Sequence, residues 1–99
     1  MSQSRLTKHA RGRNCMIRVP DVCSFDPEQT VLTHYRLAGL CGTGIKPVDL
    51  IGAWGCDMCH SAVDGRIKTP FTREELRLMH AEGVMRTQAE LVRLGEIKL

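Results

Sequence analysis

The sequence predicts a small α+β domain stapled by zinc, with additional helices toward its C-terminal end. Three observations lead there. Cys15 and Cys23 form a C-x7-C pair, and Cys56 and Cys59 form a C-x-x-C pair, a spacing at which one metal ion can take both sulfurs. Between the pairs lie two short runs that read as strands. From Thr72 onward, apolar residues recur at helical spacing.

The totals fit this reading. A chain of 99 residues makes one domain. A domain that short buries only about two-thirds of its unfolded surface. Phe25, Tyr35, Trp54 and Phe71 are all its aromatics, so the core benefits from a staple. The cysteine count is 5, and an odd number does not fit a closed set of disulfides. No apolar run approaches the roughly 20 residues that cross a bilayer, so no membrane partner is expected. The N-terminus is basic but lacks the apolar stretch of a secretory signal. The expectation is a cytoplasmic protein with reduced thiols, which favours zinc over disulfides.

The net charge is +3, from 14 basic and 11 acidic residues. Its placement says more than its size. Residues 1–14 carry Arg5, Lys8, Arg11 and Arg13 and no acid. They read as a basic arm able to touch phosphates, or equally as a solvated terminus. Residues 15–99 are then the domain proper.

The elements follow in order. Cys15, Ile17 and Val19 alternate with Met16 and Arg18, which predicts a short strand turned by Pro20-Asp21. Ser24 to Thr30 reads as a loop. Val31 to Arg36 reads as a strand with Val31, Thr33 and Tyr35 on one face and Leu32, His34 and Arg36 on the other. His34 and Arg36 together would suit a phosphodiester, although a lone strand histidine is more often without a role.

Residues 37–47 hold three glycines and read as an irregular loop. They fit neither a P-loop, because Ile45 follows Gly44, nor a dinucleotide loop, because Pro47 takes the third glycine position. Cys41 reads as a thiol near the site and not a ligand.

A second strand is predicted over residues 49–55, ending at Gly55. The C-x-x-C pair then leads into a helix over residues 60–66, stopped by a turn around Gly65. His60 follows Cys59 directly, so its imidazole is expected to point away from the zinc, free to bind a second metal. Thr72 and Glu75 form a capping box. Its helix carries Leu76 and Met79 on one face and breaks at Gly83. A last helix places Met85, Ala89 and Val92 together and stops at Gly95. Met79 and Met85 read as core, and His80 as a surface histidine.

The order of these parts resembles the zinc-finger-containing HNH endonucleases. It is closer still to the small phage and prophage proteins of the YbcO type, described as HNH-like nucleases. The residues that carry this are Ala10 to Cys15, His34 through Gly44, Lys46-Pro47, Asp49-Leu50-Ile51, Cys56-x-x-Cys59-His60, and Met85-Arg86-Thr87-Gln88.

The resemblance implies a ββα-metal, or treble-clef, core. Cys15, Cys23, Cys56 and Cys59 would form one closed structural zinc site. His34 would be the general base, and His60 would hold a catalytic divalent cation, Mg²⁺ or a transition metal. Position 33 is Thr where many HNH enzymes carry Asp or His as a ligand, and Asp49 stands where Asn is usual. Asp49 is the candidate to replace the missing carboxylate.

The function implied is metal-dependent hydrolysis of DNA phosphodiester bonds in phage recombination or DNA processing. RNA is the second candidate substrate after DNA, and phage or host recombination proteins are candidate partners. The alternative is a zinc-stabilised nucleic-acid-binding module without catalysis. Such a module needs none of His34, Asp49 and His60. A thiol-redox reading of Cys56 and Cys59 lacks the βαβ context of that motif.

Overall fold

The computed structural model describes residues 5–40 and 48–98. The loop expected over residues 37–47 falls partly outside these, and Cys41 with it. The described elements are α1 (Arg5–His9), β1 (Val31–His34), β2 (Gly52–Gly55), α2 (Asp57–Val63) and α3 (Arg73–Arg93). Single 3-10 turns at Pro27–Gln29 and Asp49–Ile51 lead into the two strands.

β1 and β2 pair antiparallel, with Val31 opposite Gly55 and His34 opposite Gly52. All four residues of β2 are buried. The reason is that β2 is covered on its second edge as well. The Trp54 N–H donates to the Thr87 hydroxyl of α3 at 2.9 Å, and the Met16 N–H donates to the Trp54 carbonyl at 2.6 Å. Two small cores flank this strand. One gathers Ile17, Val19, Ala53, Ala62 and Val84 around the cysteines. The other gathers Ala10, Trp54 and Leu91, with Leu6 of α1 packed against them.

The segment Cys15–Val19 is not a strand, though its burial alternates as expected: Cys15, Ile17 and Val19 are buried and Arg18 is exposed. Arg18 and Asp21 have φ of 58° and 61°, and a chain that turns left-handed at both cannot hold an extended ladder. β1 also stops at His34, so Arg36 lies beyond it and does not share a strand face with His34.

α2 starts at Asp57, three residues earlier than the expected helix over residues 60–66. The Cys56 sulfur caps it by accepting the Cys59 N–H. Gly65, at φ 76°, ends it as expected. The Thr72/Glu75 capping box is present, and Gly95 follows the last turn of α3 at φ 79°.

Between these ends α3 is continuous, and Gly83 does not break it. Gly83 is there for packing: a Cβ on it would stand 3.1 Å from the Ile17 Cα and the Met16 carbonyl. The buried face of α3 is His80, Gly83, Val84, Thr87 and Leu91. Met85, expected in the core, is 59% exposed, and Ala89 and Val92 are also on the outer face. His80, expected at the surface, is 7% exposed.

Candidate metal centre and histidine site

The turn around residues 15–23 and the N-terminus of α2 bring four sulfurs to one point. The Sγ atoms of Cys15, Cys23, Cys56 and Cys59 all lie within 4.8 Å of one another. None is in a disulfide. A tetrahedral zinc with Zn–S bonds of about 2.3 Å needs its sulfurs about 3.8 Å apart. The Cys23 and Cys56 sulfurs stand 3.7 Å apart.

The backbone also prepares the site for negative sulfur. The Val19 N–H donates to Cys59 Sγ, and the N–H groups of Ser24 and Cys59 donate to Cys56 Sγ, each at 3.4 Å. The four thiols cannot all ionise on their own. The Cys59 thiol beside it holds Cys15 down at about 4, while Cys15 and burial push Cys59 up. Burial pushes Cys23 up to about 12. Burial also works against Cys56, but hydrogen bonds from Ser24 and the Cys59 amide hold it below its ordinary value. A dication resolves that conflict, because it makes four thiolates acceptable together. The donor set therefore fits zinc, with Cys15, Cys56 and Cys59 buried and Cys23 half-buried.

His34 and His60 sit outside this centre, each against a carboxylate. At the end of β1, His34 Nε2 lies 2.7 Å from Asp49 Oδ1, and both side chains are about 30% exposed, 29% and 31%. The 3-10 turn before β2 delivers Asp49 to that place. Asp49 Oδ2 accepts a longer bond, 3.5 Å, from Thr7 of α1. A carboxylate only accepts, so the short bond puts the proton on His34 Nε2 and leaves Nδ1 as the ring's acceptor nitrogen.

On α2, His60 Nε2 lies 3.1 Å from Asp64 Oδ2, one helical turn on. By the same logic its Nδ1 is the nitrogen that can meet a metal. Metal-bound histidines ordinarily donate their other N–H to such a carboxylate. His60 is the one expected here, and Asp64 was not singled out. Its signal is the His-x3-Asp spacing, which places both residues on one helix face.

His80 joins the two halves. Its Nε2 meets the Thr33 carbonyl at 3.0 Å, and its ring lies edge-on to Tyr35 at 5.1 Å. Asp64 and His60 act on it electrostatically from α2, and burial holds it below its ordinary value, hence neutral. Thr33 is 1% exposed.

The basic residues divide. Arg36 is exposed. Lys8 and Arg11 are also exposed, and Arg5 pairs with Glu96 at 3.4 Å. Arg13 is turned inward: it donates to the His9 carbonyl and lies over the Trp54 ring, 5.4 Å from its centroid. Residues 5–13 thus pack on the Trp54 core rather than extending as an arm.

The chain resembles known proteins along nearly its whole length. The family model described as "Putative nuclease YbcO" matches residues 4–96. Two curated relatives carry the same description, one from Escherichia coli (strain K12) and one from Enterobacteria phage 82. Each is 45% identical over 96 residues, covering 94% of this chain and 96% of the relative. A solved structure described as "a putative bacteriophage protein from Escherichia coli" K-12 superposes with a TM-score of 0.77 at 37% identity, covering 91% of this chain and 99% of that one.

Proposed function

This chain belongs to the YbcO family, and on that premise we propose that it is a metal-dependent endonuclease that hydrolyses DNA phosphodiester bonds. The observation that carries the reading is the 2.7 Å bond between His34 and Asp49. It gives a half-exposed imidazole a fixed orientation and a known acceptor nitrogen, which is what a general base needs. His34 Nδ1 takes the proton from the attacking water. Asp49 orients the ring and stabilises the imidazolium that forms.

His60, backed by Asp64, would hold the divalent cation, Mg²⁺ or a transition metal. Asp49 is the second proposed ligand of that ion. The cation, when bound, supplies positive charge against the phosphate and the departing oxygen. Arg36 adds a further cation near the substrate, and Arg5, Lys8 and Arg11 contribute to backbone binding. Arg13 takes a smaller share because Trp54 and His9 engage it.

The order β1, β2, α2 beside a four-cysteine centre supports reading the core as the ββα-metal arrangement of HNH enzymes. Zinc is the proposed ion of that centre, with a purely structural role. DNA processing in phage recombination is the proposed setting.

One observation favours a second reading, a zinc-stabilised nucleic-acid-binding module without catalysis. Thr33 is buried, with its carbonyl held by His80, so the residue before the base brings no ligand to a catalytic ion.

Nicking of supercoiled plasmid separates the two readings. Zinc-loaded protein is incubated with Mg²⁺, Mn²⁺ or Ni²⁺ beside His34→Ala, and branched and single-stranded substrates follow. Metal-dependent nicking lost in the variant supports the enzyme. Salt-sensitive DNA binding by both proteins, with no cleavage of any substrate, supports the module.

A further inference from the structure

Between the C-terminal end of α2 and the first turns of α3 lies a cavity of about 400 Å³, in the range of small-ligand sites. Its lining is lopsided. Val63 and Leu76 make an apolar wall, and Arg73 and Arg77 bring two guanidinium groups. The two arginines are four residues apart on α3, so they share a face. Neither forms an ion pair among the described residues, and Arg77 rests over the Tyr35 ring, 4.6 Å from its centroid. The carboxylate of the lining, Asp64, is engaged by His60 at 3.1 Å and Arg66 at 3.5 Å.

The cavity borders the His60 half of the histidine site. It shares Asp64 with His60, and the Tyr35 beneath Arg77 directly follows His34. Two guanidinium groups without an ion pair among the described residues, set beside the apolar Val63 and Leu76, match a phosphate joined to a sugar and base. Arg suits that role because its planar fork meets phosphate oxygens in pairs.

We propose that this cavity is a nucleotide subsite, holding one nucleotide of the substrate strand beside the cleaved bond. Arg73 and Arg77 grip its phosphate, and Val63 and Leu76 face its sugar and base. The position beside the cleaved bond rests on the nuclease reading; the binding of a nucleic-acid strand does not.

The test measures binding of labelled duplex and single-stranded DNA and RNA by fluorescence anisotropy across a salt series, using the full zinc-loaded chain. Arg73→Glu reverses one charge at the first position of α3, where an acid favours the helix. Arg73→Gln is its neutral counterpart. Arg77→Gln keeps a flat amide over Tyr35. Arg93→Gln, about 30 Å away along α3, is the control.

Each cavity variant is expected to weaken binding alike for all sequences and to flatten the plot of log K against log salt by about 0.7–0.9. Arg93→Gln keeps the slope. Unchanged slopes in variants with native circular dichroism and zinc content overturn the proposal, as does a protein that binds no nucleic acid at low salt.

Plasmid nicking distinguishes the two claims. His34-dependent nicking with unchanged slopes sinks the cavity and leaves the nuclease. Reduced slopes with no cleavage of any substrate sink the nuclease and leave the cavity as a nucleic-acid-binding subsite.

Discussion

His80 of α3 and Thr33 of β1 are joined through the imidazole Nε2 and the carbonyl oxygen, 3.0 Å apart in the protein interior. A carbonyl accepts, so Nε2 carries a proton in either charge state of the ring. Burial keeps the ring neutral, holding His80 below its ordinary value. The unfolded chain therefore takes up a proton before the folded one does. The contribution of His80 to stability is complete above about pH 6.5 and is lost as pH falls from there toward the lower folded value.

His80→Gln keeps an N–H donor for Thr33 and does not titrate. Chemical unfolding between pH 7.5 and 5 should show a smaller acid loss in the variant than in the parent. Both proteins share the cysteine centre, so acid release of metal cancels in the comparison. Parallel curves would show that His80 does not titrate across this range.

Asp49→Asn tests the orientation of the base. The amide preserves size but removes the charge that stabilises an imidazolium at His34. If His34 is the base, kcat for plasmid nicking falls by about 10²–10⁴-fold, the usual worth of general-base catalysis, with KM little changed. Asp64→Asn acts instead through His60, so its loss should be partly recovered by raising the divalent cation. An Asp49→Asn protein rescued by metal in the same way would make Asp49 mainly a ligand.

Several features were legible because a single residue decides them locally. Thr72 starts α3 by its own hydroxyl, and Gly65 and Gly95 end helices because they take positive φ. The C-x-x-C pair is similar: Cys56 both offers a ligand and caps α2. Periodicity was a weaker guide. Cys15, Ile17 and Val19 alternate in burial without forming a strand, because the chain turns left-handed at Arg18 and Asp21.

Gly83 owes its place to tertiary packing. Read alone it is a poor helix former, but Ile17 and Met16 press against it and need its bare backbone. That close approach also selects the buried face of α3, which puts His80 inside and Met85 outside. At the histidine site, the residue types were readable but the partners were not. His34 and Asp49 are 15 positions apart and meet only through the hairpin, while Asp64 was already recoverable from the spacing within the helix expected over residues 60–66.

Metal removal should unfold the domain. A structural zinc in small domains contributes on the order of 10–16 kcal/mol, about the whole stability of a typical protein. The purified chain should carry one zinc by elemental analysis. Chelation should abolish the cooperative thermal transition followed by circular dichroism. Cys56→Ser or Cys23→Ser should lower zinc content, and Cys41→Ser should leave it unchanged. Loss of zinc in Cys41→Ser would revise the ligand set.

Thr87→Val isolates the lock between α3 and β2. The Thr87 hydroxyl accepts the Trp54 N–H at 2.9 Å and donates to the Gly83 carbonyl at 2.8 Å, with the side chain fully buried. Valine fills the same space but strands the Trp54 N–H in the core. An unsatisfied buried donor costs about 1–3 kcal/mol. In a domain of this size each kcal/mol lowers Tm by about 4–8 °C. Thr87→Ser keeps the hydroxyl and loses only a methyl, so its loss should be smaller. Calorimetry of the zinc-loaded proteins would order them parent, Ser, Val. If Val matched the parent, the Trp54 amide must find water or another acceptor, and the edge of β2 would not depend on α3 for its hydrogen bonding.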